Sequence, residues 1–228
     1  MTPIRRRITA AALAAAAAVA VGTTQLDGAA ASTHATQSAA AVSTAAHARI
    51  SEDALRTAMR SLWEQHMEWT YATVAAFAAE SPGLQATMNR LLRNQNDIGH
   101  AVRPFYGKAA AHRLTHLLRT HIKDAVPVLE AAKDGDQDAL STAVAAWYAN
   151  AKRIADFLAS ANPFWHRHAM RRMMKTHITQ TIAYAADQLQ GKYALSIRDY
   201  GRAEAHMMNM ADMLTHGLAK QFPHRFTR

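Results

Sequence analysis

The chain has 228 residues, a formal net charge of +9 and no cysteine. This length suits one domain, and the lack of cysteine excludes disulfides, thiolate zinc sites, iron–sulfur clusters and thioether-linked haem. The positive charge favours anionic partners, but we expect no nucleic-acid partner because winged-helix, homeodomain and zinc-finger motifs are missing from the sequence.

The N-terminus has the pattern of an export signal. Three arginines at 5–7 precede an Ala-rich apolar stretch at 8–21, and three alanines at 29–31 offer a cleavage site. We predict that residues 1–31 direct export to the cell envelope or the medium, and the arginine pair also permits the twin-arginine route. Removing this segment takes away three Arg and Asp27, which leaves a net charge of +7.

The rest of the chain divides into a linker, a helical domain and a short tail. Residues 32–50 are rich in Ala, Ser and Thr without an apolar period, which predicts a disordered linker. A 3.6-residue apolar period then predicts a helical bundle over 51–222, followed by a basic tail at 223–228. Turn and cap residues divide the bundle into six helices: from Ser51 to the stop at 81–83, then about 84–102, 109–132, 137–160, 166–190 and 193–221.

The predicted fold is therefore all-α: a six-helix bundle made of three repeated antiparallel hairpins, packed like four-helix or hemerythrin-like bundles. A repeated phrase supports the hairpins. His66, His121 and His177 each end a similar phrase, at nearly equal steps along the chain, and Asn94 and Asn150 are separated by the same step as His121 and His177. This step suits two helices with their loops, so each hairpin is predicted to present one His at a matching position.

The three histidines are the candidate metal ligands. Each is predicted on the apolar face of its helix, and a cluster of three imidazoles suits divalent zinc, copper, iron or nickel. Asn94, Asp97 and Asn150 are the candidate residues that would hydrogen-bond these histidines and orient their rings. Alternatively, each His bonds a neighbouring Asn and only sets helix register. The spacing leaves open whether the hairpins ring one axis or stack in a row.

Methionine is the second candidate feature. Thioether with imidazole favours copper, although methionine is also an adaptable filler of hydrophobic cores. The relevant side chains lie in the last two predicted helices: Met170, Met173, Met174, Met207, Met208, Met210 and Met213, with His206 and His216 beside them.

Two other functions remain open at this level. A structural or interaction protein would use the basic surface of Arg167, Arg171, Arg172 and Lys175 to contact anionic polymers of the cell envelope. A sugar-nucleotide enzyme would depend on Asp134 and Asp136. The sequence contains no Gly-rich phosphate loop, no Gly-x-Ser-x-Gly elbow and no cysteine nucleophile.

Several motifs resemble those of an uncharacterised family of bacterial helical proteins. Its members carry the labels acetylglutamate kinase or glycosyltransferase, and the resemblance covers about residues 55–222. It implies an all-helical fold, whereas both labels imply α/β domains with nucleotide-binding loops that this sequence lacks. The Ala-rich N-terminus also differs from the short leaders of the family. The motifs that carry the resemblance are Leu62-Trp63-x-x-His66-x-x-Trp69-Thr70, Pro104-Phe105-Tyr106-Gly107, Trp147-Tyr148-Ala149-Asn150, Asn162-Pro163, Met210-Ala211-Asp212-Met213 and Gln221-Phe222.

Overall fold

The computed structural model describes residues 50–227, and helices make up nearly all of this part. They are α1 (Glu52–Ala78), α2 (Leu84–Asp134), α3 (Gln137–Ala161), α4 (Arg167–Leu189) and α5 (Tyr193–Gln221), followed by a 3₁₀ turn at Pro223–Arg225. Within residues 50–227 there is no strand, only a one-residue bridge between Ile50 and Phe226. The all-α class is confirmed. The predicted export signal and residues 32–49 of the predicted linker lie outside the described residues.

Helix α2 folds back on itself at Gly107, the one residue inside it with a non-helical conformation (φ 79°). The guanidinium of Arg119 donates to the Leu92 carbonyl at 2.9 Å, although 27 residues of straight helix would span about 40 Å. The two arms, 84–106 and 108–134, pack so closely that a Cβ on Gly99 would overlap Thr115. The predicted count of six helices is not confirmed, because helical turns continue through 103–106 and the break is one residue.

The helices close into a ring around one core. Each helix packs on the next in the chain, α5 returns to α1, and α4 also contacts α1 and α2. All five helices contribute buried side chains to this core. None of the helices within residues 50–227 has an apolar stretch long enough to cross a bilayer.

Side-chain capping begins two of the helices where the sequence predicts it. The Ser51 hydroxyl accepts from the Ala54 amide at 3.0 Å, and the Asp136 carboxylate accepts from the Ala139 amide at 2.9 Å. Each bond satisfies a backbone N–H that the first helical turn leaves without a partner.

The packed domain continues beyond the predicted end at 222. Phe226 is buried and its ring stacks near Phe105 at 6.1 Å between centroids. The Ile50 amide donates to the Arg225 carbonyl at 3.2 Å, and the Thr227 amide donates to the Ile50 carbonyl at 3.0 Å. Arg225 and Thr227, predicted as part of a basic tail, therefore pair with Ile50 at the start of the domain, and Phe226 adds apolar area to the core.

Two glycines in α5 provide a matched test of this packing. A methyl group on Gly217 would overlap the indole of Trp165, which is 2% exposed and has no space to move, whereas one on Gly201 meets nothing within 4 Å. We expect Gly217→Ala to lower the free energy of unfolding by about 1–3 kcal/mol through overpacking. Gly201→Ala should raise it by about 0.5–1 kcal/mol through helix propensity. Urea denaturation measures both, and equal effects would contradict this packing.

Candidate functional site

The three predicted histidines meet in the centre of the bundle. His66 on α1, His121 on the second arm of α2 and His177 on α4 are each at most 3% exposed. The ring centroid of His177 lies 5.7 Å from that of His66 and 5.8 Å from that of His121. The ring of helices therefore brings all three together at one height, with His177 adjacent to both others.

Asn150 fixes which nitrogen of His121 carries the proton. The amide NH₂ of Asn150 donates to the Leu117 carbonyl at 3.3 Å, so its oxygen faces His121 Nδ1, 3.0 Å away. A carbonyl oxygen only accepts, so Nδ1 of His121 is the protonated nitrogen. Nε2 therefore has a free lone pair, and it is buried without a hydrogen-bond partner among residues 50–227. This nitrogen can accept a hydrogen bond from a donor or coordinate a metal ion.

His66 is supported by Gln95 rather than by Asp97. The Gln95 amide nitrogen lies 3.2 Å from His66 Nδ1 and donates to the Leu91 carbonyl at 2.9 Å. Asn94 is buried and donates to the Leu62 carbonyl at 3.0 Å. Asp97, however, is exposed. A neutral amide is buried at far lower cost than a carboxylate, which explains why Gln95 occupies the place predicted for Asp97.

A fourth histidine, not predicted from the sequence as part of the site, accompanies His177. His206 on α5 is half-buried, and its Nε2–H donates to the Met173 carbonyl at 3.0 Å. It follows Asn150 by the same step that separates Asn150 from Asn94, and this was the sequence signal that could have identified it. His177 Nδ1 is buried and has no hydrogen-bond partner. The third histidine of the cluster therefore lacks the amide support that His66 and His121 receive.

Burial keeps the three clustered imidazoles neutral. It lowers the pKa of His66 to about 3, with a further contribution from the charge of His121. It lowers the pKa of His121 to about 4, against the opposing effect of the Asn150 hydrogen bond. Burial also holds the pKa of His177 well below its usual value, and repulsion from His66, His121 and His206 adds to this effect. At neutral pH the cluster therefore offers lone pairs without positive charge.

Two internal cavities adjoin the cluster. The first, about 30 Å³, is bordered by all three histidines. The second, about 110 Å³, has a largely apolar lining and extends from there along the bundle toward the end of α4. Both cavities share the same six wall residues, so they are direct neighbours: Thr70, Val74, Ala125, Leu129, Trp147 and Thr181.

The arrangement is not that of a preformed metal centre. Within residues 50–227 no group of three or more His, Asp or Glu side chains is positioned to hold a metal ion. Three imidazoles on one tetrahedral ion would have ring centres roughly 5 Å apart, so binding would require the rings to approach each other. The free Nε2 of His121, backed by Asn150, is nevertheless the arrangement of a typical metal-ligating histidine.

The other candidate residues have structural positions. Four of the methionines, at 170, 174, 207 and 210, are buried in the core and those at 173, 208 and 213 pack against it, while His216 is exposed near Glu52. Asp136 caps α3, and Asp134 is the last residue of α2. The methionines therefore fill the core, and the two aspartates end one helix and begin the next.

Searches of protein-family models, curated proteins and solved structures gave no match to this chain. The resemblance to the bacterial helical family stays a prediction, and we infer function from the residues of the site.

The lowered pKa values predict a loss of stability in acid. The unfolded chain takes up protons near the ordinary value of 6.5, whereas folded His121 and His66 do so only near 4 and 3. The stability that these neutral histidines contribute is therefore fully present above about pH 6.5. It falls as the pH drops toward 4, because unfolding binds protons over this window. We expect His177→Phe to reduce the pH slope of the free energy of unfolding by about one proton. Denaturation between pH 4 and 7 measures this slope.

The control for this measurement is His112→Gln, at an exposed histidine of α2. It should leave the slope unchanged. A wild-type slope in His177→Phe would mean that His177 is not held neutral by burial.

Proposed function

We propose that the bundle binds one small, largely apolar molecule that carries a single hydrogen-bond donor. The donor group would lie at His121, and the apolar body would fill the larger cavity. One observation carries this proposal: a buried lone pair at His121 Nε2, without a partner, on a residue that lines a cavity next to an apolar one. A buried acceptor left unpaired is costly, and a ligand that donates to it removes that cost.

The cavity lining favours a neutral ligand. Neither cavity is lined by Lys, Arg, Asp or Glu. A charged molecule would lose its hydration there and find no counter-charge. The neutral state of the histidines supports the same choice, because an uncharged imidazole attracts anions only weakly. Sugar nucleotides and carboxylates are therefore poor candidates for this site.

The size and the walls of the larger cavity limit the ligand further. A volume of about 110 Å³ is close to that of engineered apolar cavities of about 150 Å³ that bind benzene. Leu140 at the start of α3, and Ala186 and Leu189 at the end of α4, line it and are only half-buried. We place the entrance between these two helix ends. A ligand with a single ring or a short branched chain suits this space.

We also infer that the bundle consists of three repeated hairpins: α1 with the first arm of α2, the second arm with α3, and α4 with α5. Three equivalent hydrogen bonds support this inference. Asn94, Asn150 and His206, which are evenly spaced along the chain, bond the carbonyls of Leu62, Leu117 and Met173. Each of these carbonyls lies one helical turn before a clustered histidine. The third hairpin differs because His206 replaces the asparagine and leaves His177 without support.

A metal ion is the second candidate ligand. The observation in its favour is His121, whose Nδ1–H is held by Asn150 while Nε2 has a free lone pair. His66 and His177 would complete the set after a small movement of their rings, and copper or another divalent ion suits neutral imidazoles. Either candidate ligand would thus lie against the histidines at 66, 121 and 177.

The place of action is proposed from residues 1–31 alone. Their charged, apolar and small-residue regions support export to the cell envelope or the medium. A neutral apolar ligand suits such a location because it crosses or partitions into membranes without a transporter.

Phenol and toluene form a matched pair of probes, equal in size, of which only phenol donates a hydrogen bond. We expect phenol to bind about two- to tenfold more tightly than toluene, since one buried hydrogen bond is worth about 0.5–1.5 kcal/mol. His121→Phe should abolish this preference. Ala185→Leu should block both probes by filling the larger cavity, in which Ala185 is buried. Titration calorimetry measures these affinities.

The matched control is Ala183→Leu, on the same helix at an exposed position. It should leave both affinities unchanged. Equal binding of phenol and toluene, or unchanged binding after Ala185→Leu, would contradict the proposed site.

Metal binding is tested on untagged protein by mass spectrometry and by melting with and without a chelator. If a metal is the ligand, we expect a stoichiometric ion that is lost in His121→Ala, and a lower melting temperature with chelator, because a bound ion stabilises only the folded state. Metal-free protein whose melting temperature ignores added zinc, copper and chelator would exclude this second candidate.

A further inference from the structure

We propose that a basic cleft on the outer face of α4 binds a polymer of phosphate groups. The cleft measures about 430 Å³ and is lined by five side chains, all exposed and all basic: Arg167, His168, Arg171, Arg172 and Lys175. It lies on the first half of α4, whereas the internal cavity is lined by the second half, at Thr181 and beyond. The proposal is therefore independent of the ligand inside the bundle.

One of the cleft's charges is already neutralised. The guanidinium of Arg171 donates to both carboxylate oxygens of Asp156, at 2.7 and 2.8 Å. This pairing with Arg171 lowers the pKa of Asp156 to about 2, so the carboxylate stays ionised. Arg167 approaches the same carboxylate only to 3.8 Å. Lys152 also donates to this carboxylate, at 3.3 Å, so one acid is shared by three basic side chains and Arg171 makes the shortest contacts with it.

Two of the remaining charges have no acidic partner among residues 50–227. Arg172 and Lys175 take part in no ion pair found among residues 50–227, and Arg172 instead hydrogen-bonds His168. Cations held close together repel each other, and an anion bound between them removes the repulsion. The cleft thus presents a surplus of positive charge.

Several features favour phosphate over other anions. Guanidinium groups match phosphate oxygens with two parallel hydrogen bonds. The first turn of α4 contains no acidic residue and its N-cap makes no side-chain hydrogen bond, so the positive end of the helix dipole adds to the attraction. Arg167 and Lys175 are about 12 Å apart along the helix. That distance suits a chain of linked phosphates better than a single ion.

A polymer is favoured over an anionic membrane. Proteins that attach to bilayers combine basic residues with apolar side chains that enter the lipid. Among residues 50–227 no apolar side chain lines this cleft, and its length along α4 suits an extended chain. Phosphate-containing polymers of the cell envelope fit this chemistry, in keeping with the proposed export.

The test uses the full chain with long-chain inorganic polyphosphate as the probe, orthophosphate for comparison, and vesicles of phosphatidylglycerol as the lipid alternative. The variant Arg167→Gln/Arg172→Gln/Lys175→Gln removes three charges and spares the Arg171–Asp156 pair. We expect polyphosphate affinity to fall at least tenfold and its dependence on salt concentration to become shallower, because fewer counterions are released. Fluorescence anisotropy at several salt concentrations measures both.

The matched control is Arg93→Gln/Arg103→Gln/Lys108→Gln, which removes three exposed charges from α2. It should change the affinity less than threefold, and both variants should melt like the wild type. Equal weakening by the control would reduce the effect to net charge and overturn the proposal. Binding of vesicles but not polyphosphate, or of orthophosphate as tightly as the polymer, would also overturn it.

Discussion

The need to keep three imidazoles uncharged in one core governs much of this structure. A protonated histidine at the centre of the bundle would be a buried charge beside two other histidines, and burial opposes that charge. The side chains that hydrogen-bond the rings are accordingly neutral amides. Gln95 contacts His66 and Asn150 contacts His121, while Asp97 is exposed. Amides also link neighbouring helices, since Asn94 and Asn150 each donate to a carbonyl on the adjacent helix. Asn150 therefore both satisfies a buried ring nitrogen and holds two helices in register.

The two ends of the bundle are filled differently, which explains the cavity. On one side of the histidines, large side chains such as Met59, Trp63 and Trp165 leave only about 10 Å³ of free space. On the other side the walls carry mainly small residues, including Ala125, Ala132, Ala185 and Ala186, and about 110 Å³ remains. Alanine allows helices to approach closely but supplies little volume. The larger cavity thus remains at the end whose lining has four alanines, no methionine and a single tryptophan, Trp147.

Helix α4 carries two unlike surfaces. Its first half exposes Arg172 and Lys175, which have no acidic partner among residues 50–227, and its second half contributes Thr181 and Ala185 to the wall of the larger cavity. His177 lies between them and is the only clustered histidine without an amide partner at Nδ1. The proposed polymer site and the proposed ligand site therefore share one rigid element while using opposite physical properties, charge in water and neutrality in the core.

Periodicity and local chemistry are present in the sequence itself, and they determined the all-α class, the capped starts at Ser51 and Asp136, and the inward faces of His66, His121 and His177. These features depend on neighbours within a few turns of one helix. Tertiary structure alone decided that the three histidines converge, that Gln95 rather than Asp97 supports them, that His206 joins His177, and that α2 turns back through a single residue at Gly107. A helical period states which face is buried but not which helix it will meet, because that depends on contacts between residues far apart in the chain. The cavity is least predictable of all, because no single residue encodes it and its volume depends on how all the helices pack.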